Sequence, residues 1–294
     1  MVKRPVLSLD TNVALPSDGF EGACFDVDDT LTAPVITKGT FKGARLHDVS
    51  RVLAAHEMGV LLGNDYLAKL SSEESQRSYL EAAEPTLEGS LAWLLHKAGI
   101  FKSSTDYDRW DERLADFSSR RSELHLKMLK DHMSLNPGAE ALLRWVRDET
   151  AHGAAVASMA SPAELEVIFN KFDLYDLIPN ERIFNRDHVK HHKPHREIND
   201  RAFRSLETTF GWEQRQRIFG VDDSRGGVAS IRGAGLFAIG LATNMPVERF
   251  IGTEAQIVVP DLNTVLLLAQ ANKNVPKGKQ LVWANGRLST QLMS

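Results

Sequence analysis

Five short, continuous apolar runs constrain the fold of this chain more strongly than any other feature of its sequence. The runs are residues 23–27, 154–157, 218–221, 236–239 and 256–259. Runs of this length without polar alternation are typical of parallel strands that are covered on both faces. Segments of helical period lie between some of them, at residues 163–172 and 198–210, each with apolar side chains on one face. This alternation predicts a doubly wound, Rossmann-like α/β core whose parallel strands end at one common edge.

The composition is that of an ordinary globular protein, and it narrows the classes of function. Of the 294 residues, 43% are hydrophobic and 25% are charged, and the formal net charge is −4. No apolar run approaches the ~18 residues that cross a bilayer, and no apolar stretch follows the first basic residues as it does in a secretory signal. One cysteine, Cys24, excludes an intrachain disulfide. We therefore expect a cytoplasmic monomer or homodimer that handles a small molecule, without nucleic-acid or membrane partners.

Residues 39–148 differ from the rest of the chain, because strand signals are nearly absent and helical spacing dominates. One apolar stripe consists of Leu46, Val49, Val52 and Leu53, and a later one of Trp110, Leu114, Phe117, Leu124, Met128 and Leu129. The pattern predicts a helical domain inserted into an α/β core that is made of residues 1–38 and 149–272. The later stripe either packs within the inserted domain, which we favour, or forms a dimer face.

The polar segment 273–294 allows two interpretations. It contains the pair Asn285-Gly286, which is suited to the tight turn of a small hairpin. The alternative is a loosely docked tail. The sequence does not decide between them.

An acidic cluster lies at the end of the first apolar run. Asp26, Asp28 and Asp29 fall within four positions, and their carboxylates repel one another unless a cation lies between them. Alternation along an extended chain directs Asp26 and Asp28 to the same side, where they can converge on one hard metal ion. One can then act as a nucleophile while the other transfers protons. The alternative is an acidic loop that merely solvates a turn.

Three further features follow predicted strands or precede predicted helices. Ser158 and the backbone N–H of Met159 come directly after the second run and can bind an anion at a helix N-terminus. Lys193 offers a cation just before a helix. The pair Asp222-Asp223 ends the third run and can close a magnesium site.

Taken together, these features resemble the haloacid dehalogenase superfamily of phosphotransferases. DVDDT is similar to the first motif of that family, AVAS to the second, Lys193-Pro194 to the third and VDDSRGG to the fourth. The 132 residues between Asp26 and Ser158 leave room for a cap domain, whereas the 35 between Ser158 and Lys193 do not. A helical cap in that place resembles the branch of β-phosphoglucomutase and phosphoglycolate phosphatase.

The resemblance implies a role for each matched residue in phosphoryl transfer. Asp26 is expected to attack phosphorus and become an aspartyl phosphate, while Asp28 protonates the leaving oxygen and then activates water. Ser158 and the Met159 N–H are expected to bind the phosphoryl group. Lys193 is expected to hold Asp26 and that group together.

The resemblance also implies a Mg²⁺ cofactor. Its expected ligands are Asp26, the carbonyl oxygen of Asp28 and Asp223, with Asp222 coordinating directly or accepting from a bound water. The predicted function is Mg²⁺-dependent hydrolysis of a small phosphorylated metabolite. The alternatives are a phosphosugar mutase, a non-catalytic binding protein of the same fold and, more weakly, a dehalogenase.

Four histidines lie close together near Lys193, and they allow two interpretations. They are His188, His191, His192 and His195. Imidazoles suit Zn²⁺, Ni²⁺ or Cu²⁺, so the group can be a transition-metal site. We favour the alternative, in which they are loop residues that add partial positive charge beside the phosphate site.

Overall fold

The computed structural model describes residues 12–33, 35–36, 40–82, 87–243, 246–284 and 287–292. The chain divides into two compact units. The first consists of Met1–Ala33 together with Leu135–Ser294, and the second of Pro34–Ser134. None of the described helices has both the length and the apolar character needed to cross a bilayer.

The secondary structure is mixed, and the helices and strands are numbered in chain order. The strands are β1 (Val13–Ala14), β2 (Gly22–Phe25), β3 (Thr32–Ala33), β4 (Ser134–Leu135), β5 (Ala154–Ala157), β6 (Ile183–Phe184), β7 (Ile218–Asp222), β8 (Phe237–Leu241), β9 (Ile257–Val259), β10 (Lys279–Ala284) and β11 (Arg287–Leu292). The helices are α1 (Leu46–Leu62), α2 (Asp65–Ala68), α3 (Ser72–Glu81), α4 (Leu87–Lys97), α5 (Glu112–His132), α6 (Ala139–Glu149), α7 (Pro162–Lys171), α8 (Glu197–Ser205), α9 (Arg225–Gly233) and α10 (Leu262–Lys273).

A six-stranded parallel sheet forms the centre of the first unit. Its strand order is β6-β5-β2-β7-β8-β9. The five predicted apolar runs all supply strands, and β6 is an additional edge strand of two residues that is too short to give a sequence signal. The doubly wound α/β core predicted from the sequence is therefore confirmed.

The register of the sheet brings the ends of β2, β5 and β7 to one edge. Phe25, the last residue of β2, aligns with Val156 of β5 on one side and with Val221 of β7 on the other. The residues that follow these strands therefore lie on neighbouring strand ends, as the Rossmann-like topology requires.

The helix predicted over residues 198–210 is shorter than the pattern suggested. It ends at Ser205, and Glu207 beyond it has a φ of 54°, in the left-handed region that does not continue a helix. Phe210 nevertheless packs, partly buried, against the core of the first unit. The apolar periodicity at residues 206–210 was therefore correct about burial and wrong about helix.

The second unit is helical and has an apolar core of its own. Helix α1 packs against α2, α3 and α5, and α4 packs against α3 and α5. Leu114 and Phe117 of α5 are buried in this core, so the predicted stripe is used for packing within the unit. Trp110 is a correction to the prediction: it precedes α5 and is 89% exposed, outside the stripe.

The predicted range 39–148 for the inserted domain extends too far. Helix α6 belongs to the first unit, because it packs against α10 and β5. The predicted boundary between residues 38 and 39 lies outside the described residues. Strands β3 and β4 form a small sheet where the chain leaves the first unit and returns to it.

The segment predicted as a separate tail, 273–294, is also part of the first unit. Strands β10 and β11 form an antiparallel hairpin, and β10 pairs with β1 as well. Trp283 of β10 aligns with Val13 and is 4% exposed. The hairpin interpretation is thus correct, although the Asn285-Gly286 pair itself lies outside the described residues.

Candidate active site

Three carboxylates meet at the carboxyl ends of β2 and β7. Asp26 directly follows β2, and its backbone N–H donates to the carbonyl of Val221 at 3.1 Å. Asp222 is the last residue of β7, and Asp223 follows it. One carboxylate oxygen from each of the three aspartates lies within 4.8 Å of the others. Two segments almost 200 residues apart in sequence therefore form one acidic cluster.

Lys193 joins the two halves of this cluster. Its Nζ lies 2.8 Å from Asp26 Oδ1 and 2.8 Å from Asp222 Oδ2, and its side chain is 8% exposed. Burial alone would lower the pKa of Lys193, but the charges of Asp222 and Asp26 outweigh it and raise that pKa above its usual value. The lysine is therefore a fixed cation between two strands.

The charge of the cluster fits a divalent cation. Burial raises the pKa of Asp26 to about 7; Lys193 opposes the rise, and Asp222 and Asp28 add to it. Three carboxylates against one ammonium leave two negative charges when all are ionised. All the donor atoms are oxygens, which Mg²⁺ prefers. The residues present at this site therefore fit a magnesium ion.

The two aspartates of the fourth motif have different partners. Asp222 is 2% exposed, and its Oδ1 accepts from the backbone N–H and the hydroxyl of Ser224, at 2.9 and 2.7 Å. Its Oδ2 accepts from Lys193. With both oxygens engaged, Asp222 is anchored in place.

The turn after β2 carries Asp28 and Thr30. Asp28 contributes to the electrostatics of Asp26, but its carboxylate is not a member of the three-aspartate cluster. The Thr30 hydroxyl accepts from the backbone N–H of Asp223 at 3.2 Å and lies 3.4 Å from its Oδ1. Thr30 thus ties the turn to the end of β7, a role that its place in the first motif could have suggested.

Two residues that the sequence analysis missed stabilise this turn by hydrogen bonds to its backbone carbonyls. The Asn136 amide nitrogen donates to the carbonyls of Asp29, Thr30 and Thr32, at 2.8 to 3.0 Å. The Thr243 hydroxyl donates to the carbonyl of Asp29 at 2.9 Å. Neither Asn136 nor Thr243 belongs to a motif or a periodic pattern, so no signal in the sequence identifies them.

Ser158 lies at the same edge of the sheet, directly after β5. It is 1% exposed; its N–H donates to the carbonyl of Phe184 and its Oγ accepts from the N–H of Ala160. Met159 is partly buried against the core. Ser161 caps α7 in a reciprocal capping box with Glu164. Binding of a phosphoryl group by Ser158 and Met159 stays a prediction.

Cys24 is a small core residue of β2. It is 1% exposed, and burial raises the pKa of its thiol to about 12. A thiol with that pKa is unreactive at neutral pH. Cys24 therefore takes no part in the candidate site.

The family of the chain follows from a comparison with family models. The model described as haloacid dehalogenase-like hydrolase matches residues 20–235, which is most of the chain. The chain belongs to the haloacid dehalogenase-like hydrolases. A comparison with curated proteins found no match.

Solved structures of this family share the fold at low sequence identity. A β-phosphoglucomutase from Clostridium difficile is 18% identical, with a TM-score of 0.59 over 87% of this chain and 97% of that one. A family IA, variant 3 hydrolase from Entamoeba histolytica is 18% identical, with a TM-score of 0.65 over 87% and 100%. A predicted phosphoglycolate phosphatase from Haemophilus somnus is 15% identical, with a TM-score of 0.62 over 85% and 98%. At these identities the likeness establishes the fold.

Proposed function

We propose that the protein is a Mg²⁺-dependent phosphatase that hydrolyses a small phosphomonoester through an aspartyl phosphate. The observation that carries the proposal is the contact of Lys193 with both Asp26 and Asp222, beside Asp223. The buried ammonium and the three carboxylates have a use in phosphoryl transfer that a binding module of this fold lacks. We further propose that it acts in the cytoplasm, as a monomer or homodimer, without nucleic-acid or membrane partners.

Magnesium ligation is assigned to Asp26, Asp223 and the carbonyl oxygen of Asp28, with Asp222 anchored behind them. When bound, Mg²⁺ offsets the repulsion between an anionic nucleophile and an anionic phosphate. The all-oxygen donor set and the excess negative charge of the cluster support this assignment.

The reaction assigns a separate task to each side chain. A carboxylate oxygen of Asp26 attacks phosphorus and forms an acyl phosphate as the bond to the leaving oxygen breaks. Asp28 gives its proton to that oxygen, then takes one from the water that hydrolyses the acyl phosphate. Lys193 orients Asp26 and offsets charge on the phosphoryl group, which Ser158 and the Met159 N–H bind.

The substrate class and the mutase alternative are tested together. The solved neighbours include a β-phosphoglucomutase and a predicted phosphoglycolate phosphatase. Sugar 1-phosphates and phosphoglycolate are therefore the first members of a phosphomonoester panel. Phosphate release identifies a phosphatase, whereas conversion of a sugar 1-phosphate to its 6-phosphate without net release identifies a mutase.

The decisive comparison uses Asp26→Asn with Asp187→Asn, an exposed carboxylate of the same unit, as its matched control. We expect Mg²⁺-dependent phosphate release by the wild type, loss of at least 100-fold in Asp26→Asn and no change in Asp187→Asn. A chelator should abolish the activity. Activity retained in Asp26→Asn contradicts the mechanism. Background rates across the whole panel favour a non-catalytic role, and halide release from a 2-haloacid favours a dehalogenase.

A further inference from the structure

A second group of side chains that could hold a metal ion lies in the loop that carries Lys193 and at the start of α8, outside the acidic cluster. It consists of His191, His195 and Glu197. Each residue offers one ligand atom, and these atoms lie within 4.8 Å of one another. His191 and His195 are exposed, and each is two positions from Lys193.

The geometry is close to that of a bound ion. His191 Nδ1 lies 3.1 Å from Glu197 Oε2, and the rings of His191 and His195 have centroids 4.6 Å apart. Ligand atoms of a tetrahedral Zn²⁺ site are separated by roughly 3.3 Å, given bonds of about 2.0–2.1 Å. The pair of His191 and Glu197 is therefore already near that spacing, and the distances to the ligand atom of His195, which are at most 4.8 Å, are the ones that would shorten on binding.

Glu197 is already held in the orientation that a ligand requires. Its Oε1 accepts from Arg201 Nη2 at 3.2 Å and from the backbone N–H of Lys190 at 3.3 Å. Its Oε2 accepts from the backbone N–H of His191 at 3.0 Å. Such outer contacts fix the direction of a ligating carboxylate and strengthen metal binding.

We propose that His191, His195 and Glu197 form a binding site for a divalent transition metal of the Zn²⁺ class. Two imidazoles and one carboxylate suit Zn²⁺, Ni²⁺ or Cu²⁺ and are a poor donor set for Mg²⁺. Three protein ligands leave one coordination position to water. The side chain of Lys193, between the two histidines in sequence, is engaged with Asp26 and Asp222 instead.

The site differs in chemistry from the acidic cluster and does not depend on the proposed phosphatase activity. Metal binding at His191 Nδ1 and Glu197 Oε2 would replace the 3.1 Å contact between these two atoms. A bound ion would link His191 to the start of α8, closing the loop around Lys193. A metal ion bound at this site would therefore restrict the movement of the loop that positions Lys193.

The test is Zn²⁺ binding to the full-length protein in saturating Mg²⁺, measured by competition with a chromophoric chelator. We expect one Zn²⁺ equivalent, with an affinity at least tenfold weaker in His191→Ala and in His195→Ala. His192→Ala is the matched control, because His192 is exposed in the same loop but is not in the group. It should bind as the wild type does. Circular dichroism verifies that each variant is folded.

Co²⁺ gives a second readout that does not involve activity. The wild type should show the visible absorption of tetrahedral Co²⁺ with nitrogen ligands, and the two histidine variants should lose it. Absence of Zn²⁺ binding by the wild type overturns the proposal. Equal binding by His191→Ala, His195→Ala and the wild type, or equal loss in His192→Ala, also overturns it.

Discussion

A single side chain, Lys193, decides how much of the acidic cluster is neutralised within the protein. It contacts Asp26 and Asp222 at 2.8 Å each and is almost fully buried. Removing one partner of a buried ion pair leaves the other charges uncompensated, which is far more costly than losing an exposed pair. Lys193 therefore both orients the candidate nucleophile and stabilises its neighbours.

Replacing Lys193 by methionine should lower kcat for phosphomonoester hydrolysis by about 10²–10³-fold, the usual effect of removing one group that stabilises transition-state charge. Lys190→Met is the control, since that side chain is exposed in the same loop. It should keep wild-type rates in steady-state assays. A rate for Lys193→Met within threefold of the wild type would contradict the role.

Asn136 stabilises a turn that is more than 100 residues away from it in the sequence. Asn136→Ala should lower the free energy of unfolding by about 1–3 kcal/mol, because the carbonyls of Asp29, Thr30 and Thr32 lose a buried donor. Asn274→Ala removes an exposed amide that bonds one helix carbonyl, and we expect little change. Urea unfolding measures both variants. Equal losses of unfolding free energy in the two variants would show that the buried hydrogen bonds of Asn136 contribute no more to stability than the exposed one of Asn274.

The residues of the site divide clearly by what the sequence could reveal. Asp26, Asp222, Asp223 and Lys193 were predictable, because each belongs to a motif at a strand end or before a helix. Asn136 was not, because its partners lie more than 100 residues away and a lone asparagine is usually a surface residue. Long-range hydrogen bonds of this kind leave no local pattern.

At the level of elements, the close approach of α9 to the end of β7 fixes the orientation of Asp222. A Cβ atom added at Gly227 would lie 1.8 Å from the Asp222 carboxyl carbon, and one at Gly220 would lie 2.6 Å from the Ile231 side chain. Glycine is therefore required on both elements where they touch. Helix α9 therefore packs directly behind the Asp222 carboxylate and holds it in position.

Gly227→Ala should displace the Asp222 carboxylate and lower kcat by about 100-fold, since a misplacement of about 1 Å can have that effect. Gly226→Ala in the same helix is the matched control, because its added Cβ has no neighbour closer than 3.8 Å. The control should retain activity and gain up to about 1 kcal/mol of stability. Comparable activity in the two variants, measured with the same substrate, would show that α9 does not hold Asp222 in position.

The elements themselves were predictable where they are long and apolar. The five runs became strands because buried parallel strands have no polar face to interrupt them. Strand β6 was missed because two residues are too few to show a period. The end of α8 was misplaced because Phe210 packs, partly buried, against the core without being helical. Burial and secondary structure are separate properties, and the apolar pattern reports only the first.

For the whole molecule, two separate apolar cores imply that each unit has its own stability. Phe117 lies in the core of the second unit, whereas Ile231 and Phe250 lie in that of the first. Every side chain of the acidic cluster belongs to the first unit. The sequence indicated this division, because strand signals are nearly absent from the inserted domain. It misplaced the C-terminal end of that domain, because α6 is helical as well and only its packing partners show that it belongs to the first unit.

Phe117→Ala should lower the stability of the second unit by about 3–5 kcal/mol, the usual effect of truncating a fully buried phenylalanine. Mg²⁺ affinity, measured by calorimetry below the unfolding transition, should be unchanged. Phe219→Ala, in β7 itself, should weaken both stability and Mg²⁺ binding, since Phe219 packs against Phe25 beside Asp26. Loss of Mg²⁺ affinity in Phe117→Ala would contradict the separation.

The placement of β2 also bears on the order of events during synthesis. β2 is the first strand of the parallel sheet to be made, yet its neighbours β5 and β7 begin only at Ala154 and Ile218. A nascent chain has thus completed the helical second unit before β2 gains any partner. Since compact units generally fold as they emerge from the ribosome, the strand leading to Asp26 has no partner until β5 is made, and it keeps one unpaired edge until β7 has been translated. The nascent chain should therefore need chaperones most before β5 and β7 have been made.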